Sequence, residues 1–133
     1  MDRDTGDIID RYTIAWLKKD RIGTEDNQKE YDAFRHEVFL LVTKHPNHDW
    51  DQIVQFMYDI NDFIWQLEAG LKSGQERLNN PHYILDEHNR DSLSKIGVTA
   101  ILNRNFNNLR VRFKNLVNKM VKEGWQDVKK DHV

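Results

Sequence analysis

Asn103, Asn107, Arg110, Lys114 and Asn118 recur at spacings of four, three, four and four residues. On a helix, that spacing gathers them into one stripe. Cations and amides in a single stripe suit recognition of an anion. Arg and Lys neutralise it through charge-assisted hydrogen bonds, and Asn reads its polar edges. A second stripe holds Asp7, Arg11, Lys18 and Arg21, interrupted by Ile14. A third row, Asn61, Trp65 and Glu68, follows the same helical spacing. Tyr12, Trp16 or Trp65 offers a ring on which a base could stack. The expectation is a pocket for an anionic, nucleotide-like small molecule. Arg11, Lys18, Arg110 and Lys114 would contact phosphate, with Asn103, Asn107 and Asn118 on the polar edges and Tyr12 or Trp65 as the stacking surface. Arg21, Asn61 and Glu68 belong to the same lining.

These residues also have a structural use. Side chains at the margin of an apolar stripe need partners, since an unpaired buried polar group costs about 1–3 kcal/mol. Glu68 and Asp10 can pair with Arg110, Lys114 or Arg11 as an internal network. Cations outnumber carboxylates on these stripes, which favours the pocket. The competing class is a structural or protein-interaction helical module whose polar stripes set helix register.

Catalytic sets are incomplete. The chain has no Cys, which removes disulfides, thiol catalysis and zinc–thiolate sites. His45-Pro46-Asn47-His48-Asp49 contains a His-Asp pair, but Pro46 places it in a turn, where His48-Asp49 reads as a helix cap. Asp59-x-x-Asp62, with Glu30 and Glu37 upstream, loosely resembles the acidic pairs of helical pyrophosphohydrolases that hold magnesium. The full set is absent, so a metal-dependent nucleotide hydrolase stands as an alternative only. His82, Tyr83 and His88 could line a pocket, yet loop histidines usually face solvent. No catalytic residue, metal or cofactor is expected. Arg104, Asn108, Arg112, Asn115 and Lys119 could address nucleic acid, but a pI of about 6.3 argues against that partner.

Four helical segments must position these side chains. They are expected near 5–22, 24–45, 49–72 and 91–124. Thr5 reads as the first N-cap, Gly23 as a stop, and Pro46 as the end of the second helix. Ile53, Met57, Ile60, Ile64, Leu67 and Leu71 carry the third helix, which Ser73-Gly74 would close. Residues 73–90, with the break Asn79-Asn80-Pro81, read as a connection. Leu102, Phe106, Leu109, Phe113, Leu116 and Met120 give the expected core stripe of the last helix, and Gly97 is a candidate kink. The polar tail, 126–133, is expected to fray. The fold class is all-α, a single domain over 1–133 in an antiparallel bundle of about four long helices. Their long apolar stripes also suit completion by a second copy, a homodimer.

Composition agrees. The 133 residues are 38% hydrophobic and 11% aromatic, with 6 Gly and 2 Pro, which excludes collagen-like and low-complexity chains. No apolar run is long enough to span a membrane. The opening residues carry no signal-peptide core, and a cytoplasmic location is expected. The net charge of −2 hides a segregation. Between Ser92 and Lys122 lie seven basic residues and no acidic one; of the chain's 20 basic and 22 acidic residues this leaves 13 against 22 elsewhere.

Gly6-Asp7-Ile8-Ile9-Asp10-Arg11-Tyr12-Thr13-Ile14, with Lys18 and Arg21-Ile22, resembles the opening motif of a family of small helical proteins of unknown function from bacteria and tailed phages. Asn107-x-x-Arg110-x-x-x-Lys114-Asn115-x-x-Asn118 is similar to its closing motif, and Asn61-x-x-x-Trp65-x-x-Glu68 to a central element. Ala15-Trp16 departs from the family pattern, and 73–90 matches poorly. The resemblance implies a helical fold and no settled chemistry. A phage origin would suit a role in sequestering a host immune nucleotide signal.

Overall fold

In the computed structural model, the residues described are 3–78 and 90–123, with side chains over 3–72 and 97–122. They are all-helical: α1 (Thr5–Arg21), α2 (Glu25–Lys44), α3 (Trp50–Leu78) and α4 (Arg90–Glu123). None of these helices is long and apolar enough to cross a membrane. Two compact units form, one of Met1–Asn61 with Arg110–Val133 and one of Asp62–Leu109.

Local chemistry sets the helix ends. Asp4, not Thr5, caps α1: its carboxylate accepts from the Asp7 N–H at 2.8 Å. A charged acceptor there also meets the positive end of the helix dipole. The chain leaves α1 at Gly23, whose φ of 75° lies in the left-handed region that glycine adopts freely. Thr24 then caps α2 by accepting from Asn27 N–H. Asp49 caps α3 by accepting from Gln52 N–H. The Trp50 indole donates to the His45 carbonyl at 2.6 Å and ties the end of α2 to the start of α3.

The expected end of α3 needs correction. α3 passes through Ser73-Gly74 and continues to Leu78. One helical glycine costs about 1 kcal/mol, and Gln75, Glu76, Arg77 and Leu78 all favour the helix. α4 likewise runs through Gly97 without interruption. The Asn79-Asn80-Pro81 break, His82, Tyr83, His88 and the 126–133 tail lie outside the described residues.

The first unit's core joins Ile9, Leu41, Trp50, Met57 and Val117, with Ile8, Val38, Ile53, Phe113 and Met120 packed against it. The expected stripe of α4 packs inward in part: Phe113 and Met120 lie against the core and Phe106 against Phe63. Val117 is buried, whereas Leu116 and Leu109 are exposed. Val117 joins Phe113 and Met120 on the face where Arg110 and Lys114 pair with carboxylates of α1. The second unit holds α3 from Asp62 and α4 up to Leu109. Within it Phe63 stacks on Phe106, ring centroids 5.1 Å apart.

Candidate functional site

Asp7, Arg11, Ile14 and Lys18 follow one another by four, three and four residues and so form a ridge along α1, with Asp10 one turn from Asp7 at its edge. Arg110 and Lys114, one turn apart on α4, stand against that ridge, and Glu30 of α2 joins them. These eight residues line an open cleft of about 340 Å³ in the first unit.

Asp10 anchors the floor. Its side chain is 6% exposed. Asn61 on α3 donates to Asp10 Oδ1 at 2.9 Å and to Thr13 Oγ1 at 2.8 Å, and the Thr13 hydroxyl donates to the Asp10 carbonyl. Lys114 Nζ lies 3.1 Å from Asp7 Oδ1 and 3.7 Å from Asp10 Oδ2. Arg11 Nε donates to Asp7 Oδ2 at 2.8 Å. Lys18 pairs with Glu30 at 3.8 Å. Arg110 Nε stands 3.9 Å from Asp10 Oδ2, too far for a hydrogen bond, and this buried N–H has no acceptor.

Close approach of the helices makes the cleft possible. The Gly6 N–H donates to Asn118 Oδ1 at 2.6 Å. A Cβ at Gly6 would collide with the backbone of Lys114. Glycine at this position lets α1 and α4 come close enough for Asp7 and Lys114 to meet.

Burial pushes the Asp7 carboxyl upward, but hydrogen bonds from Lys114 and Arg11, together with their charges, outweigh it and hold its pKa below the usual carboxylate value. A lowered folded-state pKa adds stability that is complete above the unfolded value, near pH ~4, and is lost as pH falls through the folded one. The urea midpoint should therefore decline below pH ~4, and Asp7→Asn should make that decline shallower. An unchanged slope would show that Asp7 is not engaged in solution. Tyr12 is shifted the other way, upward, by burial and then by the Tyr31 hydroxyl 3.5 Å away.

Arg11, Lys18, Arg110 and Lys114, expected as phosphate contacts, all line the cleft. Tyr12 does not line it: its ring packs on Tyr31 and Trp16. Asn61 lies beneath the cleft in the Asp10 network, Asn118 holds the start of α1, and Arg21 is exposed in the last turn of α1. Trp65, Glu68, Asn103 and Asn107 belong to the second unit. There Trp65 is half-buried, Glu68 is exposed, and the Asn107 amide donates to the Asn103 carbonyl along α4. Sequence spacing did not place Glu30 at the cleft or the Thr13 hydroxyl beneath it. Both depend on contacts between helices rather than on a shared face. His48 has a buried Nδ1 without a partner and sits edge-on to Trp50. Among the described residues, no three His, Cys, Asp or Glu side chains stand close enough to hold a metal ion.

No protein family, curated protein or solved structure matches the chain.

Proposed function

We propose that the protein is a non-catalytic binder of an anionic, nucleotide-like small molecule, taken up in the α1–α4 cleft. The observation that carries this reading is Arg110 Nε, a buried donor without an acceptor on a cleft shared by Arg11, Lys18 and Lys114. Buried donors are normally satisfied, and a phosphate oxygen supplies what is missing. Four cations against Asp7, Asp10 and Glu30 leave the lining with a net charge of +1. The carboxylates hold the cations in place and moderate the affinity. Binding without turnover is sequestration, and a host nucleotide signal is a fitting target if the chain is phage-encoded.

A second reading rests on a specific observation. Each of the four cations already stands within 4.0 Å of a carboxylate. A protein whose polar stripes only fix helix register would look the same in this respect. Incubation with a nucleotide panel, removal of free ligand, denaturation and mass analysis of what is released separates the outcomes. Intact release of one nucleotide is expected. Release of an altered product would mean an enzyme, and retention of nothing would favour the interaction module.

A further inference from the structure

Among its described residues the second unit holds two helical segments, one of α3 and one of α4, and two packed helices leave much of their apolar surface open. Among its described residues Ile64 is buried, while Phe63, Val98, Ile101, Leu102 and Leu109 remain 53%, 57%, 52%, 41% and 38% exposed. On α4, Val98, Leu102, Asn105 and Leu109 recur at four, three and four residues. That alternation is the seam spacing of paired helices, with Leu102 and Leu109 at one heptad position and Val98 and Asn105 at the other. Phe106 lies between Leu102 and Leu109 on the helix surface, and Phe63 of α3 stacks on it. The apolar seam therefore extends onto both helices of the unit.

We infer that this seam is a homodimer surface, on which the two-helix unit of one copy packs against that of a second copy. The inference is independent of the ligand reading, since the cleft belongs to the first unit. Two arguments select the occupant. The first is area. The five side chains expose on the order of 400 Å² per copy, so a two-fold pair would bury roughly 800 Å² of apolar surface. At the ~60% apolar content of protein interfaces this corresponds to about 1,300 Å² in total, inside the range of stable dimers. The second is Asn105, exposed and the one polar residue in the seam from Val98 to Leu109. An amide both donates and accepts, so across a two-fold axis Asn105 satisfies its own copy. A charged residue would repel itself there. A single Asn in an apolar seam is also a known device for fixing register.

Light scattering after size exclusion, from about 1 to 100 µM, is expected to give twice the 16.0 kDa chain mass. A mass of one chain throughout, or of three or more, overturns the proposal. Leu102→Glu with Leu109→Glu should yield a monomer with unchanged helical circular dichroism, because both side chains are partly exposed in the single chain. Asn105→Lys alters an exposed position and leaves folding intact, yet places like charges across the axis. It should weaken the dimer at least tenfold, with recovery at high salt. A variant that stays as tightly dimeric as the wild type at low salt overturns the assignment of this surface.

Discussion

Replacing Arg110 and Lys114 together with Gln is expected to weaken binding of an anionic nucleotide by about a hundredfold or more. Hydrogen bonds to charged groups contribute about 1.5–3 kcal/mol each, and about 1.4 kcal/mol is a factor of ten in affinity. Both side chains line the same cleft, so both losses fall on one ligand. The same variant should lose stability. Asp10 is almost fully buried, and without Lys114 and Arg110 its carboxylate keeps, among the described residues, only the Asn61 amide. Removing one side of a buried ion pair costs 3–5 kcal/mol. These cations are about a quarter to a third exposed, which solvent screening reduces to about 1–2 kcal/mol. Urea denaturation of the double variant checks the stability effect, and a midpoint equal to the wild type would contradict the pairing.

Gly6→Ala should lower stability by about 2–3 kcal/mol, which at this chain size moves the melting temperature down by roughly 10 °C. Two effects oppose each other. Alanine favours a helix over glycine by up to ~1 kcal/mol. Against that, the added Cβ would lie 2.9 Å from both the carbonyl carbon and the Cα of Lys114. Those are backbone atoms, which cannot rotate away as a side-chain tip can. Separating the helices to make room also breaks the Gly6–Asn118 hydrogen bond and pulls Asp7 from Lys114. The steric loss decides the sign. A thermal melt with an unchanged or raised midpoint would mean that α1 and α4 are not this close.

The helices were legible because their stops are chemical. Gly23 and Pro46 end α1 and α2 within a residue of where they were expected, and the 3-4 alternation of Met57, Ile60 and Ile64 marks the buried face of α3. The face of α4 was legible only in part. Phe113 and Met120 of the expected stripe reach the core, but Val117 is buried beside them where Lys114 meets Asp7, a pairing 107 residues distant. The site divides in the same way. Spacing identified the Arg11–Lys18 and Arg110–Lys114 stripes, because residues on one face share a period. It could not foresee that Asn61 and Asn118 would be used internally, by Asp10 and by the Gly6 N–H. Spacing reveals which face a residue lies on, and only the packing of helices reveals its partner. Glu30 was unreadable as a cleft residue for the same reason, since it meets Lys18 only after α2 folds back along α1.

Calorimetric titration of the nucleotide panel into the wild type and into Arg110→Gln/Lys114→Gln tests whether the α1–α4 cleft takes an anionic nucleotide. Both proteins are held at a temperature where circular dichroism shows them folded. Saturable binding of at least one nucleotide to the wild type is expected, with affinity about a hundredfold lower in the variant. Equal affinities, or no heat of binding to the wild type from any nucleotide, would contradict it.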